Sequence, residues 1–386
     1  MKPEILYSVK AQRGSTLRCK GWTQEAILRM MENNMENGQQ PEKLVIYGGM
    51  GKCARNWESY YAIREALMTL ENDETLAVQS GMPVAVFKTH RLAPRVVLAH
   101  TNIIEANWSD FYDLQDKNLT LFASYTAGPW EYIGSQGVVQ GTFETLGAVA
   151  IRHFGGSLIG KVLLTAGLGG MGQTQPRAMT MHGGVCLCVE IKPETIKDRV
   201  KKGMCDRAAS SLDEGIEMAD EAKRAGKPLG IAVQGNAAEV FPQILEMGWI
   251  PDVMTEMCPC HDPFSFIPLG FTPESADNLR RQDRRDYLEK SRRSMIAQLR
   301  SMNGFFDKGT VVFEYGTFIR KECRDAGMPV EEAMRIPGCI KEYVRDLFCL
   351  GRGPFRWTCI SGDKSDQERL DDLILEMFSG DEVVQR

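Results

Sequence analysis

The chain has 386 residues, 43% of them hydrophobic and 25% charged, the make-up of a soluble globular protein with room for more than one core. A formal net charge of −5 gives no electrostatic footprint for nucleic acid or an anionic membrane, so neither is expected as a partner. No run of about 18 or more apolar residues occurs, and "MKPEILYSVKAQRGS" lacks the apolar centre of a secretory leader, so a cytoplasmic location is expected.

The first 130 or so residues mix short helices and strands. "TQEAILRMMENNM" is apolar at helical spacing, with Thr23 as the expected N-cap. "KLVIYGGMG" reads as a buried strand ending in a glycine turn, and "NWESYYAIREALMTL" as a helix capped by Asn56. "TLAVQSG", "VAVFKT" and "RVVLAHT" read as three short strands. From about Tyr132 the order becomes regular. The helix "GTFETLGAVAIRHFGG" leads to the strand "KVLLTA", a glycine loop, and a helix with Pro176 in its first turn. The strand "VCLCVEI", a helix from Ser211 to Gly226, the strand "PLGIAVQG", the helix "AAEVFPQILEMG" and the strand "PDVMTEM" follow. Strands alternating with helices predict a parallel sheet. The stretch "ADNLRRQDRRDYLEKSRRSMIAQLRSM" interleaves arginine with acidic residues and reads as one helix with a solvated face. "TVVFEYG" is a last strand of this run.

Eleven cysteines in so long a chain read as reduced thiols, and Cys186 and Cys188 as small hydrophobes alternating along a strand. Cys258, Cys260 and His261 in "MCPCHDP" have no second cysteine pair at metal-finger distance, so no metal is expected.

Gly167, Gly169 and Gly172 in "LLTAGLGGMGQTQPRA" fit G-x-G-x-x-G between a strand and a helix, where backbone N–H groups meet a pyrophosphate. Glu190 ends the next strand 23 positions after Gly167, where an acid binds a ribose hydroxyl. These features favour a dinucleotide over a bare packing turn. They do not specify hydride chemistry: His90, His100, His153, His182 and His261 form no recognisable dehydrogenase acid–base pattern.

"YIGSQGVVQGTFETL", "GGSLIGKVLLTAGLGGMGQTQP", "YGGMGKCARNWE", "VFKTHRLAPRV", "QGNAAE" and "RGPFRW" together resemble the signature segments of the urocanase (urocanate hydratase) family over nearly the whole chain. The resemblance implies an α/β fold with a Rossmann-like, parallel-sheet NAD-binding domain inserted in a mixed α/β core domain. Residues 1–131 would open the core domain, 132–329 form the Rossmann-like domain, and 330–386 return to the core. It implies a hydro-lyase of histidine metabolism, commonly a homodimer, that binds NAD+ as an electrophile and adds water to an imidazole acrylate. Matching positions imply NAD+ contacts at Gly48, Gly49, Gly170, Met171, Gly172, Glu190, Asn236, Ala237, His261 and Tyr315. Tyr47, Thr126 and Arg356 are the candidates beside the substrate, Arg356 because a guanidinium suits a carboxylate.

The chain also departs from the family. Ser124 replaces a glutamine, Thr195 an arginine, "MCPCH" a "QTSAH", and Phe266-Ile267 a Tyr-Leu pair. A ring-modified substrate such as a thio- or methyl-urocanate would suit a pocket so altered. The family continues well past the last residue here, and that part carries its catalytic cysteine, so no catalytic residue is assigned. Cys349 and Cys359 beside "GRGPFRW" read as buried structural thiols. Two alternatives stay open: an NAD-dependent dehydrogenase of a small acid, and a non-catalytic NAD-binding fragment or subunit whose missing region a second chain supplies.

Overall fold

The structure is a computed structural model, and it describes residues 9–47, 51–99, 113–114, 117, 119–121, 128–132, 134–349 and 357–385. The chain forms two compact units. One combines Met1–Ile133 with Arg356–Arg386, and the other, Gly134–Phe355, is inserted between those segments. The α/β class and the insertion of a parallel-sheet unit in a mixed core are as the sequence implies.

In the discontinuous unit, β1 (Val45–Tyr47) and β2 (Gly51–Lys52) form an antiparallel pair. A second sheet has the order β4-β3-β5, from β3 (Glu74–Gln79), β4 (Met82–Lys88) and β5 (Val96–Ala99). The helix Trp22–Glu36 buries Leu28, Met31 and Met35 at its apolar spacing. Its N-cap is Gly21 rather than Thr23, which lies inside the first turn. Asn56 does cap the helix Trp57–Thr69, accepting from the Ser59 N–H at 2.8 Å. Glu25, buried, accepts from Arg29 at 2.8 Å and from the N–H groups of Arg18 and Cys19 at 2.8 and 3.0 Å. Burial alone would raise its pKa, but these donors outweigh it and hold the carboxyl at about 2.

The inserted unit is built on β6 (Val162–Ala166), β7 (Val185–Glu190), β8 (Arg207–Ala209), β9 (Leu229–Gln234), β10 (Val253–Met254) and β11 (Val311–Val312). All are parallel, in the order β11-β10-β6-β7-β9-β8. β6 and β7 are buried along their whole length, which explains why they read as continuous apolar runs. Alternate residues enter two cores. Leu164, Leu187 and Met254 pack with Phe241 and Leu299 on one face; Leu163, Cys186 and Val253 pack with Val149 and Met179 on the other.

Ser211 caps Leu212–Ala225 through the Glu214 N–H at 3.2 Å, and Gly226 ends that helix at φ +62°. The arginine-rich stretch is two helices, Pro273–Gln282 and Arg284–Asp307, because the extended Asp283 between them caps the second through the Asp286 N–H. β8 was not anticipated: "RAA" carries no strand pattern, and its pairing with β9 is tertiary.

Candidate functional site

From β6 the chain moves through β7 to β9 on one side, then crosses to β10 and β11 on the other. The order therefore reverses between β6 and β10. In open α/β sheets, ligands bind outside the carboxyl ends of the strands at such a point. Around it lie Glu190 at the end of β7, Asn236 just after β9, the 257–261 turn after β10 and Tyr315 after β11. Together with the glycine loop that follows β6, five separate segments of sequence thus deliver their candidate residues to one end of the sheet.

The loop after β6 turns on Gly167, whose φ of +88° favours glycine. A Cβ there would lie 2.6 Å from the Met257 carbonyl oxygen, and one at Gly172 only 1.9 Å from the Gly167 carbonyl oxygen. Gly169 and Gly170 differ: an added Cβ would meet nothing within 4 Å. The outer two glycines close the loop and the inner pair keep its outer surface open, ahead of the helix Thr174–Met181.

Both oxygens of Glu190 are engaged. Oε2 accepts from the Leu168 N–H at 2.7 Å and Oε1 from the Lys192 N–H at 2.9 Å. Arg199 also holds the loop, its Nε donating to the Leu168 carbonyl at 3.0 Å. It stands one helical turn beyond Thr195, within Pro193–Lys201. A chain of hydroxyls reaches the loop as well. Tyr315 donates to Thr142 at 3.2 Å, Thr142 lies 2.9 Å from Thr174, and Thr174 donates to the Met171 carbonyl at 2.7 Å. Burial raises the Tyr315 phenol to about 12 against its threonine bonds, so it stays a donor at neutral pH.

Asn236 caps Ala237–Met247 through the Ala238 N–H at 3.0 Å, and its amide donates to the Ile267 carbonyl at 3.0 Å. Ala237 is buried beside it. His261 is half-buried, and burial lowers its pKa against the pull of Asp262. Cys258 and Cys260 are buried free thiols. Among the described residues, no group of three His, Cys, Asp or Glu side chains is placed to hold a metal.

Tyr47 lies in the other unit, at the end of β1, its ring stacked on Tyr132 with centroids 4.4 Å apart. Gly48, Gly49, Ser124, Thr126 and Arg356 lie outside the described residues. The expectation for the two late cysteines needs correcting: Cys349 is exposed, the last residue of the helix Arg345–Cys349, and Cys359 is half-buried, in neither a helix nor a strand.

Sequence reasoning missed Arg199, Thr142, Thr174 and Glu256. An arginine one turn beyond Thr195 was a visible signal for the first. Glu256 has no exposed surface, and its position just past a strand at the switch point was the signal for it.

Fold and loop together define a Rossmann-like domain, the α/β class in which a glycine turn caps the first strand of a parallel sheet. The family follows from the comparisons. Residues 9–131 match the urocanase N-terminal domain, 134–343 the urocanase Rossmann-like domain and 346–386 the urocanase C-terminal domain. The chain belongs to the urocanase family. Membership supports a urocanate hydratase-like function of the hydro-lyase class, in a family whose Rossmann-like domain is associated with NAD. Among solved structures, L-tryptophan dehydrogenase from Nostoc punctiforme is 12% identical over 63% of this chain and 70% of that one; its TM-score of 0.19 carries no argument. No helix among the described residues is long and apolar enough to cross a membrane.

Proposed function

We propose that the protein is an NAD+-dependent hydratase that adds water to urocanate or to a ring-modified analogue such as a thio- or methyl-urocanate. The observation that carries the reading is the open surface at Gly169 and Gly170, framed by two glycines closed on backbone at the switch point of the sheet. The residues present fit a dinucleotide. Backbone N–H groups of the 169–172 loop would hold the pyrophosphate, and Glu190 fixes the loop and would meet the ribose. Asn236, Ala237, His261 and Tyr315 follow strands at the same end of the sheet, and the resemblance in sequence implies Gly48 and Gly49 as further contacts. When bound, NAD+ supplies an electron-poor nicotinamide ring that withdraws electrons from the substrate with no net hydride transfer.

This chain's residues bind and orient. Arg356 would take the acrylate carboxylate as a fork of two N–H donors, with Tyr47 and Thr126 beside the ring. The Tyr315–Thr142–Thr174 chain holds the Met171 carbonyl and so fixes the direction of the loop N–H groups.

The test is to mix the protein with NAD+ and a panel of urocanate analogues and follow the conjugated ultraviolet absorbance. Loss of absorbance for at least one acrylate without net NADH is expected. Accumulating NADH would favour a dehydrogenase instead. No change with any acrylate, from folded protein, would overturn the reading.

A further inference from the structure

The inserted unit buries two carboxyl groups that the hydratase reading leaves unused. Glu256 and Glu314 each stand two residues beyond the last paired residue of neighbouring parallel strands, since Met254 pairs with Val312. Glu256 has no exposed surface and Glu314 has 5%. At Glu256, Oε2 accepts from the Cys258 N–H at 2.8 Å and from the Cys260 thiol at 3.8 Å, and Oε1 accepts from the Thr317 hydroxyl. Glu314 accepts from Arg320 Nε at 2.5 Å through Oε2, while its buried Oε1 has no partner. Besides Arg320 and the Cys260 thiol, the titratable groups facing the pair are thiols: Cys323, from the helix Ile319–Asp325, beside both carboxyls, Cys258 beside Glu256, and Cys339 beside Glu314.

Of the two buried carboxyl groups, Glu314 meets the Arg320 guanidinium, whereas the partners of Glu256 are the neutral Cys258 N–H, Cys260 thiol and Thr317 hydroxyl. With both ionised, one negative charge would be buried without a counter-ion, so the pair keeps a proton. Burial, reinforced by the Glu314 carboxylate and opposed by the Thr317 bond, pushes Glu256 up to about 8.

Glu256 also ties two segments together, the turn after β10 through Cys258 and the segment after β11 through Thr317. That turn is the wall against which the glycine loop rests. The Met257 N–H donates to the Ala166 carbonyl at 2.8 Å, and the Met257 carbonyl is the atom a Cβ at Gly167 would strike. We propose that Glu256 is a positioning residue that holds this wall against the glycine loop while the Glu256–Glu314 pair retains its proton. Once that proton leaves, repulsion between the two carboxylates is relieved only by turning one toward water. That breaks the tie to Cys258 and Thr317 and loosens the crevice. Weaker dinucleotide binding at high pH follows, and this half of the inference rests on the NAD+ reading of the loop; the proton and its grip on the wall do not.

The test compares the full-length wild type with E256Q, whose amide mimics the neutral acid, and with E314Q, which removes the neighbouring charge. Without cofactor, the wild-type thermal midpoint should fall relative to that of E256Q as pH rises from about 5 to 9, because the folded state holds a proton the unfolded chain releases. E314Q should move that fall to lower pH. Protection of the Cys258 amide from hydrogen exchange should drop at pH 9 relative to 6.5 in the wild type but not in E256Q. NAD+ affinity by calorimetry should weaken about tenfold over the same interval in the wild type and stay level in E256Q. Parallel midpoint curves for wild type and E256Q would overturn the retained proton, and unchanged Cys258 protection would overturn the positioning role. If E256Q does not fold, an unshifted fall in E314Q overturns the coupling. NAD+ binding absent at every pH, with the midpoint and exchange results intact, would instead count against the dinucleotide reading.

Discussion

Replacing Gly172 with alanine and, separately, Gly170 with valine should split stability from binding in a loop where the two are hard to tell apart. At Gly172 a Cβ would lie 1.9 Å from the Gly167 carbonyl oxygen and 2.7 Å from its carbon, where ordinary contact begins at 3.4 Å. The obstacle is backbone, and the Gly167 N–H is itself bonded to the Val189 carbonyl at 2.8 Å, so it has little freedom to retreat. Overpacking of this kind costs about 3 kcal/mol, which lowers the midpoint of a domain this size by roughly 6–12 °C. Gly170→Val should leave the midpoint within about 1 °C, since Gly170 has no positive φ and its Cβ meets nothing within 4 Å. The valine fills the open surface where phosphate oxygens would accept from the loop. Losing two such charge-assisted bonds is worth about 3 kcal/mol, roughly a hundredfold in affinity. Calorimetric NAD+ titration beside thermal unfolding reads both quantities. A Gly170→Val protein that binds NAD+ like the wild type would refute the cradle, and a Gly172→Ala protein of unchanged midpoint would refute the close approach.

Glu190→Ala should lower stability by about 1–3 kcal/mol even without cofactor, because the Leu168 and Lys192 N–H groups lose their acceptor; urea unfolding checks this. Tyr315→Phe should cost about 1 kcal/mol and weaken NAD+ binding, with the effect on binding absent in a Thr142→Val background if the hydroxyl chain is the route. Ser211→Ala should cost about 1 kcal/mol through the lost cap and leave NAD+ affinity unchanged. Glu25 is held at about 2, below its ordinary 4.5, so its stabilising contribution is present above about pH 4.5 and lost as pH falls toward 2. Acid titration of the wild type followed by circular dichroism, against Glu25→Gln, should show the difference confined to that window.

The parallel sheet could be read from the sequence because its strands are buried on both faces, so "KVLLTA" and "VCLCVEI" are short unbroken apolar runs between helical patterns. The loop and Glu190 were legible because their spacing is a geometric demand of one turn and one neighbouring strand. Caps at Asn56 and Ser211 were legible because capping is local. Thr23 misled for the same reason: a good capping side chain stands near the helix start, but the chain enters the helix at Gly21. What escaped was long-range. Nothing near Glu256 in sequence announces Thr317, and nothing near Thr142 announces Thr174 or Tyr315. β8 exists only because β9 offers it an edge.

The gathering of five segments at one end of the sheet has a kinetic consequence. The Leu168 amide is fixed by Glu190 across one strand junction, and Ala166 is met by Met257 across another, so the loop takes its shape only after β7 and β10 have both docked on β6. Pairings that far apart in sequence must close long loops before they are rewarded, which makes parallel sheets slow to form. On the NAD+ reading, cofactor capture would belong to the end of folding, and a chain halted with β10 undocked would hold most of its helices yet recognise no dinucleotide. Were a dinucleotide to rest on all five segments, it would oppose the undocking of any one of them, so slow global opening, rather than local fraying, would limit its escape.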